Sequence, residues 1–101
     1  MRILVTALLA LALQSSQTLH QVTLHWTAPA PNGAVISHIN VYRSNSVRLT
    51  SPVLVCTTRP AVTTCVDTKV QPNQNYWYYS QSVGTEGTSA RSNAAHIFVV
   101  P

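Results

Sequence analysis

From residue 21 to the C-terminus, apolar and polar residues alternate in short bursts, and no stretch from residue 14 onward repeats its apolar residues at helical spacing. A period of two is the mark of half-buried strands. Val22, Leu24 and Trp26 alternate with Gln21, Thr23, His25 and Thr27, and the run 27–33 then breaks the strand with Pro29, Pro31 and Asn32-Gly33. Pro supplies no ladder donor, and Asn-Gly readily takes the positive φ of a turn. A second strand places Ile39 and Val41 on one face, Asn40 and Tyr42 on the other, and ends in the loop Ser44-Asn45-Ser46. Val53 to Cys56 follows Pro52 as a third, and Thr57 to Pro60 turns the chain. Val62 to Val66 reads as a fourth strand ended by Asp67, Tyr76 to Val83 as a fifth, and Ala90 to Val100 as a sixth after the loop Gly84 to Gly87. Short strands at near-regular spacing predict an all-β, two-sheet antiparallel sandwich or a barrel.

Composition agrees. Charged residues are 8% of the 101, against roughly 25% in an average domain. A helical bundle would need Glu, Lys and Arg on its exposed faces. Disorder would need low hydrophobicity, and the hydrophobic share is 46%. The acids are Asp67 and Glu86 alone, so the net charge of +4 reflects missing carboxylates rather than a concentrated basic patch.

Residues 1–13 stand apart. Met1-Arg2 precedes an uncharged run from Ile3 to Leu13, and Ala10-Leu11-Ala12 offers small residues at cleavage spacing. The run is too short to cross a membrane, which takes about 20 apolar residues. It reads as a secretory signal peptide or as an apolar segment of the fold, with the domain proper over 14–101; neither reading supplies a stable membrane anchor. Cys56 and Cys65 lie nine residues apart and fit no zinc or redox spacing. In an exported chain they are expected to pair. In a reducing compartment they read as small buried apolar residues.

The order of these motifs resembles the fibronectin type III family across about residues 18–101. Val22-Thr23-Leu24-His25-Trp26-Thr27-Ala28-Pro29 looks like the family's second strand. Ile39-Asn40-Val41-Tyr42-Arg43-Ser44 looks like its third, in the form common in exported bacterial or phage-type copies. Val70-x-Pro72-x-x-x-Tyr76-x-Tyr78 matches the corner leading into strand F, with Asp67-Thr68 upstream and Ser92-Asn93 downstream. The resemblance implies a core containing Leu24, Trp26, Ile39, Val41, Cys65, Tyr76 and Tyr78 between sheets about 10 Å apart. Tyr76 would be the corner tyrosine, bonded back to nearby backbone. Ile39, Cys65, Ser80 and Ser82 are smaller than the family's usual residues, implying a thinner core. The first strand is not evident: Gln14 to His20 forms it, residues 3–13 supply it, or it is missing and leaves the second strand open to a partner.

Catalysis finds little support. His20, His25, His38 and His96 are scattered, no nucleophile elbow or phosphate loop occurs, and no metal or cofactor is expected. The bases are too dispersed for a nucleic-acid footprint. The informative surface is aromatic. If Tyr76 and Tyr78 face inward, Trp77 and Tyr79 face outward, and Tyr42 would join them in an exposed patch with Asn40 and Gln81 as polar neighbours. Such a face suits stacking on sugars or a protein partner, although aromatics also simply favour strands. The loop Gly84 to Gly87 with Asn32-Gly33 is a second candidate. The expected role is a non-catalytic, secreted or cell-surface binding module with a protein or carbohydrate ligand. The alternative is a passive spacer, or an assembly module completed by a partner strand. A chain running from Met1 to Pro101 is expected to act as a self-contained recognition or surface protein.

Overall fold

The computed structural model describes residues 14–17, 20–27 and 35–101, and no helix occurs among them. The signal-peptide reading of residues 1–13 and the Asn32-Gly33 turn lie outside the described residues. Seven strands have four or more residues: β1 (Gln14–Gln17), β2 (Val22–His25), β3 (Ile36–Ser44), β4 (Val53–Thr58), β5 (Thr64–Asp67), β6 (Gln74–Gly84) and β8 (Ala95–Val99). A two-residue strand, β7 (Gly87–Thr88), lies between β6 and β8.

All pairings are antiparallel. One sheet has the order β1-β2-β5; the other runs β4-β3-β6, and β6 carries β7 and β8 on its far side. The question of the first strand is thereby answered: β1 covers the edge of β2, with Ser15 opposite Leu24. The idea of a missing first strand is corrected, and β2 is not open to a partner.

Alternation decides what meets between the sheets. Val22, Leu24 and Trp26 point inward from β2 and its continuation, Ile39 and Val41 from β3, and Tyr76 and Tyr78 from β6; with Val70 and Val99 they form the buried core. Cys65 is only partly buried and packs against that core beside Cys56, Val55 and Ile97. The expected thinning is present at Ser80 and Ser82, which are buried in inward positions. Where this core is thin, a disulfide joins Cys56 of β4 to Cys65 of β5 and so ties the edge strand of one sheet to the other.

Two local features depart from simple strand reading. The single strand expected over Ala90 to Val100 is β8 alone, Ala95–Val99, because the preceding segment pairs with β6 partly through hydroxyls. Ser92 Oγ accepts from Ser80 N at 2.8 Å while Ser92 N donates to Ser80 O at 2.9 Å. Ser89 repeats the exchange with Ser82, at 2.9 Å for both bonds. Side-chain oxygens thus stand in for ladder carbonyls. The strand expected from Val62 begins at Thr64, because Val62 N closes a turn onto Arg59 O at 2.9 Å.

The corner into β6 follows the expected chemistry. Gln71 N donates to the Tyr76 hydroxyl at 2.8 Å, and Asn73, at φ 62°, donates its N–H to Val99 O at 2.7 Å. At the far end of β6, a Cβ on Gly84 would strike the carbonyl oxygen of Val35, which accepts from Thr85 N at 3.0 Å. The close approach therefore requires glycine there.

Candidate functional site

The register of β3 on β6 places Tyr42 opposite Tyr79, Asn40 opposite Gln81 and Ser44 opposite Trp77. The five residues singled out from the sequence therefore share the outer face of one sheet. Tyr42 and Tyr79 stack, with centroids 5.1 Å apart and planes 20° from parallel. On the other flank the Arg91 guanidinium lies 4.8 Å from the Tyr79 ring centroid. Covered from both sides, Tyr79 retains 3% of its exposure, so the expectation that it lies open to a ligand is corrected. Strand spacing of about 4.8 Å lets neighbouring side chains shield one another on an outward face.

The amides are also engaged. Asn40 Oδ1 accepts from Thr57 Oγ1 at 2.8 Å and its Nδ2 donates to the Tyr42 hydroxyl at 3.4 Å. Gln81 Nε2 donates to Ser89 O at 2.9 Å.

Trp77 is different. It is half-buried and its ring sits 4.8 Å, at 30°, from the exposed ring of His96, its neighbour across β8. His96 Nε2 is 2.7 Å from Asn75 Oδ1, and Phe98, opposite Asn75, keeps 44% of its exposure. The accessible aromatic surface is thus centred on Trp77 and β8 rather than on Tyr42 and Tyr79. His96 and Phe98 were legible as outward residues, since Ile97 and Val99 alternate with them. Arg91 was not, because it lies in the segment held by serine hydroxyls.

Of the chain's two acids, Asp67 is sealed. Asp67 is 2% exposed and accepts from Arg43 Nη1 at 2.9 and 3.1 Å, from Tyr78 OH at 2.8 Å and from Lys69 N at 3.0 Å. Arg43 projects inward beneath Tyr76, its Cζ 5.4 Å from that ring, and makes the one ion pair among the described residues. Burial, followed by the bond to Asp67, pushes the Tyr78 phenol well above the ordinary tyrosine range. Among the described residues no three His, Cys, Asp or Glu side chains gather as metal ligands, and no helix is long and apolar enough to cross a membrane.

Two sheets in this order, a corner tyrosine and the inward tryptophan that follows β2 define an antiparallel sandwich of fibronectin type III-like topology. No protein-family model and no curated protein matches the chain. Solved structures do. A pectate lyase from Pectobacterium carotovorum superposes with TM-score 0.72 at 25% identity, over 88% of this chain and 26% of that one. The sixth fibronectin type III domain of human fibronectin type III domain containing protein 3 gives 0.73 at 13% identity, over 88% and 81%. A β-1,2-glucanase from Parabacteroides distasonis gives 0.72 at 21%, over 96% and 13%. The fold is fibronectin type III-like. The chain spans about a quarter of the pectate lyase and much less of the glucanase.

Proposed function

We propose that this chain is a non-catalytic binding module of fibronectin type III type, working outside the cell, with a carbohydrate held on the outer face around Trp77. The observation that carries the reading is the Trp77–His96 ring pair, half-open to solvent and flanked by the Asn75 amide. A flat ring beside polar donors and acceptors suits the mixed apolar and hydroxylated face of a sugar. The non-catalytic part rests on Asp67, whose oxygens are taken up by Arg43, Tyr78 and backbone. The disulfide supports an oxidising compartment, in line with the signal-like residues 1–13 and the resemblance to exported bacterial copies. Two of the similar structures are named as enzymes acting on polysaccharides, which supports a carbohydrate setting.

Co-sedimentation with insoluble polysaccharides and whole cells tests this, with Trp77→Ala alongside. The wild type is retained and the variant is not, both keeping the same near-UV circular dichroism. A second reading, a passive spacer, is favoured by the burial of Tyr79 and the internal engagement of Asn40 and Gln81. It gains if neither folded protein sediments.

A further inference from the structure

Charge on the described surface is one-sided. Asp67 is buried against Arg43, which leaves Glu86 as the exposed carboxylate and Arg48, Arg59, Lys69 and Arg91 as exposed cations. Glu86 sits in the turn between β6 and β7, two residues past Gly84 and next to Gly87. Gly84 lies seven positions along β6 from Trp77, about 24 Å at 3.4 Å per residue. The outer face around Trp77 thus carries a cation and no opposing carboxylate.

That cation is placed for recognition. Trp77 and Tyr79 project from the same face of β6 two residues apart, about 6.8 Å. Arg91 is held over the Tyr79 ring, and no carboxylate among the described residues pairs with it. A guanidinium docked on a ring keeps N–H donors at its planar edge for an anion, and it binds carboxylate or sulfate as a fork. Because the Tyr79 contact already orders Arg91, less side-chain freedom is lost on binding. Trp77 then offers a stacking platform and Arg91, one residue pair along the strand, an anion contact.

We infer that the ligand of this face is an acidic polysaccharide, one ring stacking on Trp77 and the carboxylate or sulfate of a neighbouring unit bonding to Arg91. This rests on the reading of the face as a carbohydrate site. A nucleic acid fits less well, since the face presents one arginine where a phosphate backbone is normally met by several clustered bases.

The test is affinity electrophoresis of the purified 101-residue chain in gels containing polygalacturonate, its fully methylated ester, dextran sulfate or dextran. Polygalacturonate and its ester share a backbone and differ in charge; dextran sulfate separates sulfate from carboxylate recognition. Retardation by at least one charged polymer is expected, with its neutral counterpart weaker by about tenfold or more. Arg91→Gln and Trp77→Ala should each weaken retardation by about tenfold, while Arg59→Gln, the same charge change in the β4–β5 turn, leaves it within about twofold. Near-UV circular dichroism confirms that each variant is folded. Equal retardation by ester and acid, lost in Trp77→Ala, overturns the acidic ligand and leaves the carbohydrate reading standing. Equal weakening by Arg59→Gln and Arg91→Gln, or equally tight binding of single-stranded DNA, overturns it in favour of unspecific charge attraction. No retardation by any of the four polymers overturns the inference, and the co-sedimentation experiment then decides the carbohydrate reading separately.

Discussion

Arg43 of β3 and Asp67 of β5 form an ion pair across the two sheets, guanidinium Nη1 to carboxylate Oδ2 at 2.9 Å, with the arginine side chain 15% exposed and the aspartate 2%. Tyr78 donates to the same carboxylate from β6. One acid therefore joins three strands at the end of the core where Val22 pairs with Asp67.

Removing the acid leaves the cation stranded. Asp67→Asn is expected to destabilise the domain by roughly 3–5 kcal/mol, because a nearly buried charge loses its partner. Arg43→Met, Asp67→Leu and Tyr78→Phe together should recover most of that loss, since an apolar trio avoids the desolvation cost and leaves no buried phenol without its acceptor. Urea unfolding of the three proteins reads both outcomes.

Tyr78 sets an alkaline limit. Folding favours its neutral form, so this stabilisation is complete below the ordinary tyrosine value near pH 10 and is lost progressively as pH rises above it. The urea midpoint should fall from about pH 10 upward, and Tyr78→Phe should flatten that fall. Absorbance at 295 nm should show the Tyr78 phenolate emerging together with unfolding. Its titration in the folded domain near pH 10 would contradict the burial argument.

The disulfide supplements a thin core. Replacing Cys56 and Cys65 together by Ala is expected to cost about 2–3 kcal/mol, the scale for a short closed loop. Differential scanning calorimetry of the pair variant should show the lowered melting temperature, and reductant should lower that of the wild type but not of the variant.

Two aromatics on one face should behave differently. Tyr79→Ala removes a ring enclosed by Tyr42 and Arg91 and should destabilise by about 3 kcal/mol or more. Trp77→Ala removes a half-exposed ring and should cost about 1 kcal/mol. Equal costs in chemical denaturation would contradict the placement of the open surface at Trp77.

Much of this architecture was legible in the chain itself. Period-two alternation sorts Leu24, Trp26, Ile39, Val41, Tyr76 and Tyr78 onto inward faces whatever the sheets' partners are, because successive residues of a strand must point to opposite sides. The same rule correctly sends Tyr42, Trp77 and Tyr79 outward. What alternation cannot state is how far an outward residue is covered, since that depends on its neighbours across the sheet. Tyr79 is buried because Tyr42 arrives in register from β3 and Arg91 from a segment whose pairing runs through serine hydroxyls. Arg43 and Asp67, 24 positions apart in the chain, read as one dispersed base and one strand-ending acid. Only the facing of the two sheets brings them within 2.9 Å and sets a charged clasp beside Tyr76, Tyr78 and Val22.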